Sequence, residues 1–261
     1  MNNWQAFILS IIEGLSEFLP ISSTAHLIVS EEILGIEPSK FLNFFTIFIQ
    51  LGAICAVPIL YFKRLLSGIK IYSFVTISFI PAVVFGLLLN DFLESMFEGY
   101  YFIAVSWIIG GIILLKIDEW INNKDEGKDL VESLNSKNAL LIGLYQCIAM
   151  IPGVSRSGAT IVGGRISGLS HKNAVEYSFL LAIPTLLGAT AKKLLDYRDN
   201  FNELFTTDTI GYLGIGFIGS FIVAILTIQW LVGFIKKKGI SFFGYYRIII
   251  GVLLLIYLWL K

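Results

Sequence analysis

Long apolar stretches are the feature that most constrains this chain. Six of them approach or exceed the roughly 17–25 residues that a helix needs to cross the hydrocarbon core of a bilayer. Of the 261 residues, 56% are hydrophobic and 15% are charged, whereas soluble domains carry about 25% charged residues. The sequence therefore predicts an all-α integral membrane protein with spans at about 41–62, 71–89, 99–116, 174–191, 210–235 and 243–260.

Two further stretches, 4–30 and 138–169, are apolar at their ends and broken in the middle. The breaks read Leu-Pro-Ile-Ser-Ser-Thr-Ala-His at 19–26 and Ile-Pro-Gly-Val-Ser-Arg-Ser-Gly-Ala-Thr at 151–160. Proline ends a helix because it has no N–H to donate. Backbone polar groups at membrane depth must then be buried in protein or line a wet cavity. Both stretches are predicted to be re-entrant helix–loop–helix hairpins.

The two halves of the sequence repeat. A shift of 132 residues superposes Pro20 on Pro152 and Ser23 on Ser155, and in each half a broken hairpin precedes three spans. Because three is an odd number, the second copy must be inverted relative to the first. The predicted organisation is a first inverted repeat at 1–116, a solvated cytoplasmic linker of mixed charge at 117–137, and a second inverted repeat at 138–261.

Basic residues predict the orientation, because cytoplasmic loops carry an excess of lysine and arginine. Three groups of basic residues would lie inside. The loop at 90–98, whose charged residues are all acidic, would lie outside. The segment 192–198, which is also basic, departs from this pattern. The active site is then expected to open to the extracytoplasmic side. The net charge is zero, so no nucleic-acid partner is expected. The inner groups are Lys63, Arg64 and Lys70, the lysines of the linker, and Lys236, Lys237 and Lys238.

Polar residues of the first broken stretch are candidates for chemistry. Glu13 and Glu17 are four residues apart and share one face of an otherwise apolar helix. A carboxylate at membrane depth is costly and usually faces a cavity and a partner. The pair suits a divalent cation such as Mg²⁺ or Ca²⁺, or a shared proton. Ser22, Ser23 and His26 follow within one helical turn; one hydroxyl would cap the next helix, and Ser23 and His26 are predicted to be catalytic.

Arg156, in the second break, is the candidate anion clamp. Its guanidinium can bind a phosphate with two parallel hydrogen bonds. Hydroxyls and backbone N–H groups at a helix start also bind anions, so the predicted phosphate ligands are Arg156, Ser155, Ser157, Thr160 and Ser22. An ion pair between Arg156 and a glutamate of the first hairpin is the alternative. The two interpretations are compatible, because the ion pair can form when no substrate is bound.

These two motifs, Glu13-Gly-Leu-Ser-Glu-Phe-Leu-Pro-Ile-Ser-Ser-Thr-Ala-His26 and Pro152-Gly-Val-Ser-Arg-Ser-Gly-Ala-Thr160, resemble those of the bacterial undecaprenyl-diphosphate phosphatase family, known for bacitracin resistance. The resemblance spans the whole chain, and Ala25, where many relatives have glycine, is a small departure. It implies that Glu13, Glu17, Ser23, His26 and Arg156 are the functional residues, with Glu13 and Glu17 near a divalent cation.

The resemblance also implies a multi-pass enzyme of the bacterial plasma membrane. Such an enzyme hydrolyses undecaprenyl diphosphate to undecaprenyl phosphate and inorganic phosphate, and so recycles the lipid carrier of peptidoglycan synthesis and confers bacitracin resistance. Its partners would be that lipid and the surrounding membrane lipids; a homodimer is allowed.

The chemistry is open in two respects. Ser23 could attack the terminal phosphorus with His26 or Glu17 as base, or water could attack directly with the same bases. A transporter or flippase for a prenyl phosphate or another anion also fits inverted repeats with buried charges. Release of inorganic phosphate in detergent, without any gradient, separates an enzyme from a transporter.

The orientation leads to a testable prediction. Six spans with the basic loops inside place both termini outside the cytoplasm. Reporters that are active only in the cytoplasm should be inactive at either end of the chain, and reporters that need the exterior should be active there. Cytoplasmic activity at both ends would reverse the predicted orientation.

Overall fold

Helices form the regular structure of the residues that the computed structural model describes, which are 1–66, 68–89, 99–121, 129–198 and 205–261. No strand occurs in these ranges. In chain order the helices are α1 (Asn3–Ser16), α2 (Ser23–Ile33), α3 (Lys40–Leu60), α4 (Phe62–Leu65), α5 (Ile69–Leu88), α6 (Tyr100–Trp120), α7 (Leu130–Ser133), α8 (Ser136–Ile148), α9 (Arg156–Ile166), α10 (His171–Asp196), α11 (Thr207–Lys238) and α12 (Ser241–Leu260).

Among the described residues, six helices are long and apolar enough to cross a membrane: α3, α5, α6, α10, α11 and α12. They coincide with the six predicted spans to within a few residues, so that prediction is confirmed. Their outward faces carry large exposed apolar side chains, such as Ile80, Leu226 and Leu253. Exposed apolar surface of this extent suits a lipid solvent and not water.

The other long segments form two pairs of short helices, α1 with α2 and α8 with α9. They contain 14, 11, 13 and 11 residues, and at 1.5 Å per residue none exceeds about 21 Å, whereas the hydrocarbon core is about 30 Å thick. Irregular segments at 17–22 and 149–155 separate the members of each pair. They overlap the proline-containing breaks predicted at 19–26 and 151–160, whose later residues, 23–26 and 156–160, are helical. We call them the first break and the second break.

The packing of the helices interleaves the two halves of the chain. Helix α1 packs on α11, and α8 packs on α5, so the first helix of each short pair lies against the second span of the other half. Helix α6 packs along α12, and α3 contacts both α10 and α11. Glycines permit the closest of these approaches, since a Cβ on Gly52 would overlap the Phe217 carbonyl oxygen and one on Gly143 would overlap the Ser78 carbonyl oxygen.

The described ends of the linker between the halves contain buried apolar side chains. Helix α6 continues to Trp120, and Leu130, which is fully buried, begins α7. The Asp129 carboxylate accepts a hydrogen bond from the Arg64 guanidinium at 2.8 Å. The buried side chains of Leu130 and Leu134 anchor this end of the linker. The many charged residues of the linker do not indicate such an anchor. The rest of the linker, 122–128, and the acidic loop at 90–98 lie outside the described residues.

Close helix packing at Gly52 leads to the second prediction. In a Gly52→Ala protein the methyl group meets backbone atoms of α11 that cannot yield, so the free energy of unfolding should fall by about 1–3 kcal/mol. Gly214→Ala is the matched control, because nothing lies within 4 Å of a Cβ there. Thermal unfolding in detergent measures both; equal midpoints for the two variants would contradict the packing.

Candidate active site

The two breaks lie directly against each other. The Ser157 hydroxyl donates to the Leu19 carbonyl oxygen at 2.7 Å, and the Ser155 hydroxyl donates to the same oxygen at 3.3 Å. The Arg247 guanidinium donates to the carbonyl oxygen of Pro20 at 3.3 Å and to that of Gly153 at 2.9 Å. Backbone oxygens that lost their helical partners therefore receive hydrogen bonds from side chains. These bonds join the first break to the second.

A small cavity of about 90 Å³ lies where the breaks meet. Pockets that enclose a whole drug-sized ligand measure about 300–1,000 Å³, so this cavity suits a headgroup and not a complete lipid. Both breaks contribute to its wall, as do the first residues of the short helices α2 and α9 and the long helices α3 and α10. Its lining consists of Glu17, Ser22, Ser23, Thr24, Gln50, Ala149, Val154, Ser155, Arg156 and Leu186.

Glu17 is the centre of the cavity's hydrogen bonds. One of its carboxylate oxygens accepts from the Ser23 hydroxyl, and the other accepts from the Arg156 guanidinium at 2.7 Å. These groups come from three helix ends, since Glu17 ends α1, Ser23 begins α2 and Arg156 begins α9. Glu17 and Ser23 are only 6% and 7% exposed. A carboxylate in this position can take the proton of the serine hydroxyl.

Arg156 is only partly satisfied. Besides Glu17 it donates to the Ser178 carbonyl oxygen at 3.1 Å. Its Nε–H is buried and has no hydrogen-bond partner among the described residues. A guanidinium with an unused donor beside a cavity is well suited to an incoming anion.

His26 lies apart from this cluster. Its Nδ1 contacts the Ser22 carbonyl oxygen at 2.7 Å, its Nε2 contacts the Tyr246 hydroxyl at 2.9 Å, and its ring lies 4.9 Å from that of Trp107. The side chain lines a separate apolar groove of about 340 Å³ between α2, α6 and α12. The structure thus brings Glu17, Ser23 and Arg156 together at one cavity. His26 lies near them but does not line that cavity.

The predicted phosphate ligands divide in a similar way. Ser22 and Ser155 line the cavity with Arg156. The Ser157 hydroxyl is committed to the Leu19 carbonyl oxygen. Thr160 is buried and donates to the Arg156 carbonyl oxygen at 2.9 Å. These last two side chains support the break and do not face the cavity.

Glu13 is the candidate cation ligand. It is fully buried, and neither carboxylate oxygen has a hydrogen-bond partner among the described residues. Its charged neighbours are Glu17 and Arg156. A buried carboxylate without partners needs a proton or a cation. A hydrogen bond between the Glu13 and Glu17 carboxyl groups would require a proton on one of them, because ionised carboxylates only accept.

The donor set near Glu13 limits the kind of cation. No group of three or more His, Cys, Asp or Glu side chains in the described ranges is placed to hold a metal. Mg²⁺ is commonly held by one or two carboxylates together with water and substrate phosphate oxygens. The orphaned oxygens of Glu13, with the Glu17 carboxylate beside them, fit that kind of site. Both Glu17 oxygens already accept hydrogen bonds, so a cation there would share them.

Sequence reasoning missed Arg247. This residue is 2% exposed and donates to four backbone carbonyl oxygens, those of Pro20, Ser106, Trp107 and Gly153. The signal was present, because an arginine inside an apolar span marks a buried and functional position. Its neighbour Tyr246 gave no such signal, since tyrosine is common at the ends of membrane helices.

Six membrane-length helices define a class, that of integral membrane proteins. The site of this one combines a buried serine, a buried carboxylate and a largely buried arginine, which are groups suited to phosphoryl transfer. Comparison with known proteins then identifies the family. The sequence model of the family "Bacitracin resistance protein BacA" matches residues 6–253, so the chain belongs to this family.

Relatives called undecaprenyl-diphosphatase cover nearly the whole chain. The protein of Flavobacterium johnsoniae is 51% identical over 98% of this chain and 96% of its own length. That of Aquifex aeolicus is 45% identical over 96% of each chain. That of Porphyromonas gingivalis (strain ATCC 33277) is 40% identical over 97% of this chain and 95% of its own. The family predicted from the two motifs is thereby confirmed.

The Glu17–Arg156 pair leads to the third prediction. Arg156→Ala leaves the Glu17 carboxylate buried without its counter-ion, so the free energy of unfolding should fall by about 3–5 kcal/mol. Glu17→Gln in the same protein removes the stranded charge and should restore part of that loss, as a double-mutant cycle would show.

Lys116→Ala is the control for this cycle. It breaks an exposed ion pair with Glu119, and such pairs contribute about 1 kcal/mol or less. Additive effects of Arg156→Ala and Glu17→Gln on unfolding in detergent would show that the two side chains are not coupled.

Proposed function

We propose that this protein hydrolyses undecaprenyl diphosphate to undecaprenyl phosphate and inorganic phosphate. One observation carries the proposal: Glu17 holds the Ser23 hydroxyl and the Arg156 guanidinium in a single cavity made by both breaks. Relatives over nearly the full length bear the name undecaprenyl-diphosphatase. The reaction returns the lipid carrier to peptidoglycan synthesis, and with it comes the resistance to bacitracin for which the family is named.

In the proposed mechanism Ser23 is the nucleophile and Glu17 is the base. Glu17 takes the hydroxyl proton as Ser23 Oγ bonds to the terminal phosphorus. The bond from that phosphorus to the bridging oxygen breaks, and undecaprenyl phosphate leaves with the proton that Glu17 took. Water then attacks the phosphoserine with the Glu17 carboxylate again as base, and Glu17 passes the proton of that water to Ser23 Oγ as its bond to phosphorus breaks, which releases inorganic phosphate and regenerates the hydroxyl. Direct attack by water, also with Glu17 as base, is the alternative.

In the proposed mechanism Arg156, at the start of α9, stabilises the charge of the phosphate. Without substrate, Arg156 is paired with Glu17 and retains a free Nε–H. A bound diphosphate would draw the guanidinium onto its oxygens, where the developing charge of the transition state is offset. This shift would also release the Glu17 carboxylate to accept the serine proton.

A divalent cation, Mg²⁺ or Ca²⁺, is part of the proposal. Glu13 and Glu17 would hold it, and when bound it would neutralise phosphate oxygens of the substrate. The unsatisfied oxygens of Glu13 support this assignment. Ser22 and Ser155, which line the cavity, would supply further contacts to the phosphate.

The proposed architecture is a pair of inverted repeats whose short helix pairs are re-entrant hairpins. The helices are too short to span, and the first helix of each pair packs on the second span of the other half, as inversion about an axis in the membrane would produce. We place the chain in the bacterial plasma membrane, with the cavity on the extracytoplasmic side as the basic loops suggest. A homodimer, which the family resemblance allows, stays a prediction.

Phosphate release by the purified protein in detergent is the fourth prediction. Wild-type protein should release phosphate from undecaprenyl diphosphate without any gradient. Arg156→Ala should lose about 10²–10³-fold in kcat, the usual cost of removing a charge-stabilising donor. Ser23→Ala should lose about 10⁶-fold, the order of magnitude for removing a nucleophilic serine. Ser73→Ala, at an exposed hydroxyl on α5, should behave as wild type.

Two further arms sharpen this experiment. A chelator should abolish release, and added Mg²⁺ or Ca²⁺ should restore it in wild type but poorly in Glu13→Gln. Rapid acid quenching should trap phosphoserine at Ser23; a Ser23→Ala protein with most of its turnover would instead favour direct water attack. Movement of the lipid across vesicles with no phosphate release would favour a transporter.

A further inference from the structure

Ser22, immediately before the proposed nucleophile, has an unusual backbone. Its φ is 73° and its ψ is 93°, and it is the single non-glycine residue with positive φ in the described ranges. Serine rarely adopts this conformation, because its Cβ approaches the neighbouring carbonyl oxygen. Such residues persist only where the surroundings impose them. Because Ser22 precedes the first residue of α2, its conformation determines the direction in which Ser23 points.

The Ser22 carbonyl oxygen is held by His26 in two ways. The His26 backbone N–H donates to it at 3.2 Å, and the ring Nδ1 contacts it at 2.7 Å. A carbonyl oxygen only accepts, so Nδ1 carries the hydrogen. In the neutral ring Nε2 is then an acceptor, and the partner at 2.9 Å, the Tyr246 hydroxyl, donates to it. Both nitrogens of His26 are thus engaged away from Ser23.

Tyr246 is well placed to fix this ring. It stacks on His26 with a centroid distance of 5.8 Å and an interplanar angle of 9°. Arg247, the next residue of α12, is buried and bonded to carbonyl oxygens of both breaks. Since Arg247 holds α12 against the breaks, the Tyr246 hydroxyl has a fixed position relative to Ser22.

The placement of the two candidate bases, His26 and Glu17, indicates that they have different roles. The hydroxyl of Ser23 donates to Glu17 and not to His26. His26 lines the apolar groove, whereas Glu17 and Ser23 line the cavity. His26 therefore has contacts suited to holding the backbone, and Glu17 has those suited to moving the proton.

We propose that Tyr246 and His26 are positioning residues: a chain of hydrogen bonds from Tyr246 through His26 to the Ser22 carbonyl oxygen holds the strained Ser22 and keeps Ser23 directed at Glu17. This inference rests on the proposed function. It assigns a role to Tyr246, 220 residues from its partner, and it gives His26 a role other than that of the base expected from the sequence.

The first test, and the fifth prediction, is Tyr246→Phe, which removes only the hydroxyl and keeps the stacked ring. The kcat for phosphate release should fall about tenfold, because small errors in the aim of a nucleophile are costly. The KM and the pH profile should stay close to those of wild type, since Glu17 and the main phosphate ligand, Arg156, keep their contacts. Tyr245→Phe is the matched control, at the preceding and 62% exposed residue, and should have wild-type kcat.

The second test compares His26→Asn with His26→Ala. The amide N–H of asparagine can replace Nδ1–H at the Ser22 carbonyl oxygen, but an amide does not exchange protons near neutral pH. His26→Asn should therefore retain at least about ten times the kcat of His26→Ala, with the wild-type pH profile. A histidine that acts as acid or base would make both variants equally inactive.

Two results would overturn the proposal: wild-type kcat in Tyr246→Phe, or equal inactivity of folded His26→Asn and His26→Ala. Thermal unfolding in detergent establishes folding, and Tyr246→Phe decides alone if the His26 variants do not fold. The proposed function is tested separately, because wild-type phosphate release and its loss in Ser23→Ala do not depend on Tyr246.

Discussion

Backbone carbonyl groups that the two breaks leave without helical partners are the constraint on which the rest of this structure depends. Lipid offers them no partner, so the protein must. Leu19, Pro20 and Ile21 of the first break accept hydrogen bonds from Ser157, Arg247 and Trp107. These donors belong to α9, α12 and α6. The first break is therefore formed only when the other half of the chain is in place.

The same arrangement brings three chemical groups together at helix ends. A buried carboxylate and a buried guanidinium are each costly alone and stabilise each other as a pair. Glu17 and Arg156 form that pair at 2.7 Å and remain beside a cavity. Since Arg156 keeps one donor unused, the pair is stable without substrate and can still accept an anion. Structural stability and the proposed chemistry thus use the same two side chains.

The sequence predicts the local features of this protein well. Hydropathy and length give the six spans, and proline gives both breaks, because each depends on neighbouring residues only. Glu17, Ser23 and Arg156 were also predicted together. The separation of His26 from Ser23 was not predicted, because it depends on the backbone of Ser22 and on Tyr246, which is remote in sequence. The four acceptors of Arg247 likewise lie on three different segments.

The proposed repeat, with its shift of 132 residues, is asymmetric at the candidate site. Ser155 is the counterpart of Ser23, but the counterpart of Glu17 is Ala149. With no carboxylate beside it, Ser155 caps α9 through the Gly158 N–H and contacts the Leu19 carbonyl oxygen. Ala149 leaves part of the cavity open. In the proposed chemistry one half thus supplies the base and the hydroxyl and the other supplies the arginine, so that chemistry requires the breaks to meet.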